Sequence, residues 1–403
     1  MNTECTLRLD RLSRKSRKEK LVLFFGREHF SDNTKYLYLK TLEENPDFTC
    51  LWCSTDKALI DSLKANNLPC FLIEEPHQDE AIRLFLSAAV AVFSVNPSQS
   101  LNGSEELFAC LAGAKQLQLW HGVSVKHLLL KLAKHLSLTD YDFRRPVDFA
   151  SRADAVLSTA SCLDDFFSES FGCKRLIRAG YPRNEVILRQ ATSSELIGST
   201  LPPEMAKALN DPSARKVLFT PTWQRGESQL LTSGTEFISY LAQVCQRNNA
   251  SLFIKSHPLY QFSKESSKLA GNVWFINPAV DIYPWLNRFD ALITDYSSIM
   301  FDFLITQKPI LRLELDRASH RSYEPDFSLI PPGEFAYRFT KETLPALLAQ
   351  ALDADVKAAE RREMRDALFE TDPLQSSASL IRLLCQEVAA TVGNSRQFNV
   401  ETY

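Results

Sequence analysis

The sequence lacks the segments that would carry it across a membrane. Its N-terminus is charged and has no apolar stretch of the kind found in a signal peptide. The longest uncharged run begins at Leu84, but its apolar part ends near Val95, which is too short to span a bilayer. If the protein meets a membrane, we expect it to lie on the surface.

Strong net charge and a cysteine framework are also missing. The formal net charge is −3, so no overall field attracts the chain to nucleic acid. The single C-x-x-C pair, Cys50 and Cys53, lies in a predicted strand, and no second pair completes a zinc site. We interpret the pair as buried and reduced rather than as a redox motif, which favours a reducing, cytoplasmic compartment.

Positive charge is local instead. Residues 8–20 hold seven lysines and arginines against two acidic residues, and this basic leader is either an anchor for an anionic membrane or a disordered tail. Residues 126–138 form a second basic amphipathic stretch suited to an interface. The alternative for that stretch is a helix packed on the sheet with a solvated basic edge.

The chain is long enough for two domains, since 403 residues exceed one core of ordinary size. Apolar strands alternate with helical stretches on both sides of a proline- and serine-rich segment, which favours two parallel sheets covered on both faces. The predicted strands are Leu21–Phe25, Phe48–Cys53, Pro69–Ile73, Ala89–Val95, Gln116–Trp120, Ala155–Thr159, Leu176–Ala179, Val217–Thr220, Leu252–Lys255, Val273–Ile276, Ala291–Thr294 and Pro309–Leu313. Asp32 is predicted to cap a helix from Asn33 to about Glu43, and Ser379 to Val392 is predicted as an amphipathic helix.

The predicted fold class is α/β: two doubly wound, Rossmann-like domains that face a central cleft, as in the GT-B glycosyltransferases. Its segments are the basic leader 1–20, an N-terminal domain 21–190, a linker 191–214 with a short helix, a C-terminal domain 215–375, and a C-terminal helix and tail 376–403. Ligands of such sheets collect beyond the carboxyl ends of the strands.

The segment from Asp290 to Asp302 has the pattern of a phosphate site. A short apolar strand is followed by Thr294–Ser298 and then by an apolar helical face that begins at Ile299. Backbone N–H groups at a helix start, helped by Ser297 and Ser298, suit a diphosphate. The alternative is ordinary helix capping.

Other predicted strands also end in polar residues. His121-Gly122 follows one strand, Lys255 and His257 lie at the end of another, and Thr222 and Arg225 follow a third. A fourth strand runs into Gly180-Tyr-Pro-Arg183. Each is compatible with turn chemistry alone, but together they favour convergence on one cleft.

In their order and spacing these residues resemble the CDP-glycerol glycerophosphotransferases, a family that includes teichoic-acid polymerases and capsule enzymes. The similar segments are Gly26–Asn33 with Lys35-Tyr36, Leu119–Gly122 with Lys126, Ala179–Arg183, Thr220–Trp223, Lys255–Pro258, and Asp281–Pro284 through Leu292–Ser298 to Asp302. The chain departs from the family at Asn184-Glu185, at Val123–Val125 and across Arg312–Pro332, which leaves glycerol or ribitol as the transferred alcohol open.

The resemblance implies transfer of a glycerol-phosphate or ribitol-phosphate unit from a CDP-alcohol to a hydroxyl of a polymer or lipid-linked acceptor, with release of CMP. The transfer would take place at the inner face of the plasma membrane, and the enzyme would be a peripheral membrane protein. No tightly bound cofactor is expected, and a Mg²⁺ ion that arrives with the diphosphate is compatible with this scheme. A GT-B glycosyltransferase that uses a nucleotide sugar and a non-catalytic scaffold of the same fold are the alternatives.

The implied catalytic residues are His121, as general base, and His257. The implied donor-binding residues are Lys255, Thr222, Arg225, Asp295, Ser297, Ser298 and Asp302. The residues expected on the acceptor side or in the cleft are Gly26, Asn33, Gly122, Lys126 and Arg183.

Overall fold

The computed structural model describes residues 3–27, 29–73, 78–126, 152–173, 175–222, 234–255, 271–314 and 325–397. Within these ranges two parallel sheets are flanked by helices, which confirms the predicted fold class. The largest buried apolar cluster contains residues of both sheets, for example Phe24 and Leu37 from the first half and Leu292 and Met300 from the second. The two halves therefore pack directly against each other.

The first sheet has the strand order β3-β2-β1-β4-β5-β6-β7, with all neighbours parallel. Its strands are β1 (Leu21–Phe25), β2 (Thr49–Ser54), β3 (Cys70–Leu72), β4 (Val90–Phe93), β5 (Lys115–Gln118), β6 (Ala155–Ser158) and β7 (Leu176–Arg178). All five residues of β1 are buried because apolar clusters cover both faces of the sheet.

The second sheet has the order β10-β9-β8-β11-β12-β13 and is also parallel. Its strands are β8 (Arg215–Thr220), β9 (Ala250–Lys255), β10 (Val273–Ile276), β11 (Ala291–Thr294), β12 (Ile310–Leu313) and β13 (Tyr337–Phe339). In both sheets the chain begins in the middle and winds to each side, so the carboxyl ends of the central strands are open to a ligand.

Helices cover the sheets. Within the described ranges they are α1 (Thr3–Lys15), α2 (Asp32–Glu44), α3 (Lys57–Ala65), α4 (Gln78–Ser87), α5 (Pro97–Ser100), α6 (Glu105–Cys110), α7 (Asp164–Phe171), α8 (Pro182–Leu188), α9 (Pro203–Asn210), α10 (Gly234–Arg247), α11 (Ile299–Phe303), α12 (Leu344–Asp353), α13 (Ala358–Leu368) and α14 (Ser376–Gln397). Short 3₁₀ helices include Tyr283–Arg288 and Phe327–Leu329. Helix α14 begins in the second half of the chain but packs on α2 and β4 of the first.

Two predictions about local structure were wrong, and one of the two alternatives for the basic leader is excluded. The basic leader is not a disordered tail over its described part, because α1 packs on α4 and α6 and the buried Lys18 donates to the carbonyl of Leu86 over 2.7 Å. Asp32 does not cap α2. The N-cap is Ser31, whereas Asp32 has φ +71° and its carboxylate pairs with Arg183. The strand predicted to reach Trp120 ends at Gln118, because Trp120 has φ +55°.

The cysteine prediction was right as far as the structure reaches. Cys50 and Cys53 lie in β2, and both thiols are free and buried. Burial raises the pKa of Cys50 to about 12, so its thiol stays protonated and unreactive at neutral pH. The two residues are part of the core and not of a redox centre.

Candidate functional site

The loop after β5 has an unusual backbone conformation on both sides of His121. Trp120 has φ +55° and Gly122 has φ +128°. Two side chains fix Trp120: Asn33 donates to its carbonyl oxygen over 2.8 Å, and Gln118 accepts from its N–H over 2.9 Å. The loop is therefore rigidly placed before any ligand arrives.

The ring of His121 has a defined tautomer. Its Nδ1 lies 3.2 Å from the main-chain oxygen of Ser94, and a carbonyl only accepts, so Nδ1 carries the proton. Burial, followed by the positive charges of Arg27 and Arg183, holds the pKa of His121 well below its usual value. The imidazole is therefore neutral near pH 7. Its Nε2 lone pair has no hydrogen-bond partner among the described residues.

Arg183, at the start of α8, is the central cation of the site. It is 3% exposed and lies against the Tyr283 ring, 4.5 Å from the centroid. Its guanidinium pairs with Asp32, donates to the carbonyl of His121 over 2.9 Å and donates to Asp302 over 2.7 Å. Although burial alone would lower the pKa of Arg183, the facing carboxylates raise it, and the group stays charged.

Asp302, predicted as a donor-binding residue, lies on α11 and is the partner of Arg183. It is 1% exposed and also accepts from the Tyr283 hydroxyl over 2.9 Å. Gly122 completes this arrangement, because a Cβ atom at that position would fall 2.7 Å from Arg183 Nη2. The structure thus brings together Gly122, Arg183 and Asp302, predicted separately for the two sides of the cleft.

Asp295 and Thr222 are also brought together. The Asp295 carboxylate accepts from the Thr222 N–H at 3.0 and 2.9 Å, from the Thr222 hydroxyl at 2.5 Å and from the N–H of Tyr296 at 2.6 Å. Asp295 is 2% exposed, so it joins the loops after β8 and β11. Its direct contact with a donor stays a prediction.

Ser297 and Ser298 lie where the predicted turn places them, between β11 and α11. Ser298 is the N-cap of α11, yet its side chain makes no capping bond. Both residues are half-buried, and their hydroxyls have no partner among the described residues. Because α11 has only five residues, hydroxyls and single backbone N–H groups matter more here than a helix dipole.

Lys255 ends β9 with its ammonium group donating to the carbonyl of Pro278 over 2.8 Å. Burial lowers the pKa of Lys255 to about 8, and the charge of Asp281 opposes this shift. A lysine with such a pKa loses its charge within the range in which enzymes are assayed.

Lys126 contacts the loop after β11, and Gly26 lies against Trp52 of β2. The Lys126 ammonium is 4.8 Å from the centroid of Tyr296, and its backbone pairs with Pro325 of the second half. Gly26 packs against Trp52, because a Cβ atom there would fall 2.6 Å from that ring. Their predicted roles toward the acceptor stay predictions.

His257 and Arg225 lie outside the described residues. The predicted approach of His257 to His121 across the cleft, and the contribution of Arg225 to donor binding, stay predictions. Residues 127–138 of the basic amphipathic stretch lie outside the described ranges as well.

A buried ion pair between the two halves was not predicted from the sequence. Lys35 of α2 donates to Asp281 over 2.8 Å, and the Tyr36 hydroxyl donates to the same carboxylate oxygen over 2.7 Å. Lys35 and Asp281 have almost no exposed side-chain surface. Lys35-Tyr36 and Asp281 both lay in segments matched to the family, but nothing in the sequence paired them.

The described residues contain neither a metal-binding cluster nor a membrane-spanning helix. They contain no group of three or more His, Cys, Asp or Glu side chains arranged to hold a metal ion. The expectation that any Mg²⁺ arrives with the diphosphate stays a prediction. No described helix combines the length and apolar character needed to cross a bilayer.

Known proteins similar to this chain share its fold and much of its sequence pattern. A teichoic acid poly(glycerol phosphate) polymerase of Staphylococcus epidermidis is 24% identical over 72% of this chain and 40% of its own length. A teichoic acid glycerol-phosphate transferase of Staphylococcus aureus is 23% identical over 91% of each chain. A structure of the wall teichoic acid polymerase TagF superimposes with a TM-score of 0.70 at 17% identity, covering 96% of this chain and 94% of the other.

The extent of these matches differs. The chain spans less than half the length of the first two polymerases that it matches, 40% and 44%. The likeness to TagF shows the GT-B-type fold. The family pattern of the CDP-glycerol:poly(glycerophosphate) glycerophosphotransferases covers residues 8–386, and the chain belongs to that family.

Proposed function

We propose that this chain is a transferase that moves a polyol-phosphate unit from a CDP-alcohol to a hydroxyl of a polymer or lipid-linked acceptor. The acceptor oxygen attacks the phosphorus nearest the alcohol and forms a new P–O bond. The bond from that phosphorus to the CMP oxygen breaks, and CMP leaves with the electron pair. The proton of the attacking hydroxyl passes to His121.

One observation carries this proposal: the neutral imidazole of His121, whose Nδ1 is bound to the Ser94 carbonyl. Hydrogen bonding at Nδ1 leaves the lone pair on Nε2, which is the atom that a general base needs. The pKa below the usual range keeps the base ready at neutral pH. A positioned base of this kind contributes roughly 10²–10⁴ in rate.

The donor diphosphate occupies the sheet edge opposite this base. Ser297 and Ser298 lie four or five residues before Asp302, which is linked to the His121 carbonyl through Arg183 by contacts of 2.7 and 2.9 Å. These serine hydroxyls and the Lys255 ammonium supply donors for the phosphate oxygens. Fixed donors around the transferring group are the main requirement of phosphoryl transfer.

The proposed surface for the membrane is one face of α1. Arg8, Arg11, Leu12 and Lys15 follow the helical spacing of one face and are exposed, with Leu12 at 50%. Exposed cations beside an apolar side chain suit an anionic bilayer on the cytoplasmic side. The double variant Arg11→Glu/Lys15→Glu should no longer sediment with phosphatidylglycerol vesicles, and parent binding should weaken in high salt. Equal sedimentation of both proteins would refute this surface.

The activity is tested by CMP release. The protein is incubated with CDP-glycerol or CDP-ribitol and a short polyol-phosphate primer on a lipid carrier, with UDP-glucose as the control donor. Primer-dependent CMP release from a CDP-alcohol supports the proposal, and the more active donor identifies the transferred alcohol. Release of UDP would favour a glycosyltransferase. Donor binding without turnover on any primer tested would favour a scaffold.

A further inference from the structure

Arg183 contacts both the loop of the proposed base and the helix beside the proposed diphosphate site. Its Nη2 donates to the His121 carbonyl at 2.9 Å and to the Asp302 carboxylate at 2.7 Å. His121 belongs to the first half of the chain, and Asp302 lies on α11 of the second. The same guanidinium also pairs with Asp32 at the start of α2. One side chain therefore connects three elements from both halves.

We infer that Arg183 is a positioning residue for His121, and that through Asp302 it couples the placement of the base to the donor-side helix α11. The inference rests on the proposed function, because it concerns how the base of that reaction is held. In this role Arg183 contacts the backbone of His121 and does not contact the acceptor.

The geometry leaves little freedom for another role. Arg183 is 3% exposed, its aromatic neighbours Tyr181 and Tyr283 lie 5.4 and 4.5 Å from the guanidinium carbon, and Tyr283 donates to Asp302 at 2.9 Å. The glycine at position 122 is required by the same contact, since any Cβ would collide with Nη2.

The electrostatic surroundings of His121 also support a positioning role for Arg183. Among the described residues, burial and then the positive charges of Arg27 and Arg183 lower the pKa of His121, and the hydrogen bond to the Ser94 carbonyl opposes this shift. Asp32 and Asp302 are the carboxylate partners of Arg183. Removal of the Arg183 charge should therefore raise the His121 pKa and bring the proton-accepting form to a higher pH.

Besides raising the His121 pKa, the loss of Arg183 should move the base relative to the acceptor hydroxyl. A misplacement of about 1 Å at a catalytic group costs on the order of 100-fold in rate. If Arg183 positions the base, Arg183→Gln should lower kcat by about this factor. Arg183→Lys keeps the charge but loses the forked contacts, so it should keep the low His121 pKa while kcat stays reduced.

The matched control is Arg361→Gln. Arg361 is likewise buried, pairs with Asp355 at 3.0 Å and donates to the carbonyl of Gln307 at 3.1 Å, but it contacts none of the site residues that the structure describes. Its loss should lower the free energy of unfolding without moving the His121 titration. The comparison separates the general effect of losing a buried arginine from the specific effect of losing the contact between Arg183 and the His121 loop.

The experiment combines two readouts on the full chain. Histidine labelled with ¹³C reports the His121 titration by NMR, with the signal assigned by its absence in His121→Asn, and CMP release at varied pH gives kcat and KM. We expect Arg183→Gln to raise the His121 pKa and lower kcat about 100-fold, with Arg361→Gln changing neither. An unchanged titration in Arg183→Gln, or a loss of activity that only follows the folded fraction, would overturn the inference. Because the titration needs no turnover, absence of CMP release from the parent would refute the proposed function alone.

Discussion

The Nδ1 atom of His121 lies 3.2 Å from the main-chain oxygen of Ser94, the residue directly after β4. This contact ties the ring to the neighbouring strand of the same sheet and fixes which nitrogen carries the proton. Because the partner is a backbone carbonyl, no substitution of the Ser94 side chain removes it. The base is thus oriented by the sheet itself.

The pH dependence of kcat/KM should have a broad plateau that ends near pH 8. His121 is the active, neutral species above its pKa, which lies well below 6.5, so acid loss should begin only there. Lys255 is charged and able to bind phosphate below its pKa of about 8, and loses that charge as the pH rises. Initial rates at low donor concentration between pH 5 and about 10 test this profile, which reports the free enzyme.

Lys255→Arg is the matched variant for the alkaline side of that profile. The guanidinium stays charged throughout the range, so the fall above pH 8 should disappear even if the plateau is lower. A fall that persists unchanged in Lys255→Arg would assign the alkaline group to another residue.

Gly122→Ala should remove most of the activity while the protein stays folded. The position has φ +128°, and a Cβ would approach Arg183 Nη2 to 2.7 Å, so the His121 loop must move. Gly103→Ala is the control, since Gly103 also has a positive φ, +76°, but a Cβ there meets nothing within 4 Å. CMP release and thermal unfolding of both variants check this, and equal activities would contradict it.

Asp281→Asn should lower the free energy of unfolding by about 3–5 kcal/mol, because Lys35 would remain buried without its counter-charge. Asp353→Asn breaks the exposed pair with Arg215 and should cost less than about 1 kcal/mol. Urea denaturation measures both. A similar small loss in the two variants would mean that the interdomain pair is open to water in solution.

Thr222→Val should weaken donor binding. It keeps the shape of the side chain but removes the 2.5 Å bond to Asp295, so the loop after β8 loses part of its link to the β11 loop, at a cost of about 1–3 kcal/mol. Thr220→Val removes only a 3.4 Å bond to Thr294 and is the control. Calorimetric titration with CDP-glycerol compares them, and equal affinities would show that this link does not shape the donor site.

The strands were predictable because buried parallel strands are continuous apolar runs. Twelve of them were found from the sequence, most within two residues of their ends, and β8 and β9 each begin two residues earlier than predicted. The exception, β13, has only three residues and exposes Arg338 between Tyr337 and Phe339. β3 and β7 are equally short and were predicted, so in β13 it is the charged residue at the centre of the strand that interrupts the apolar run.

The partners of the polar residues were not predictable. The rule that ligands meet at strand ends drew attention to Arg183, and the family resemblance drew attention to Asp302, but the resemblance assigned one to the acceptor side and the other to the donor. Their pairing across 119 positions depends on how the two halves pack. Asp32 shows the same limit, because its local pattern is that of a helix cap, whereas its carboxylate pairs with Arg183.

The most direct test of the account is the turnover of His121→Asn with CDP-glycerol and a lipid-linked primer at pH 7. We predict that CMP release falls by about 10²–10⁴, the contribution of a positioned base, while calorimetry shows CDP-glycerol bound with nearly the parent affinity. Turnover close to the parent rate would contradict the assignment of His121 as the base.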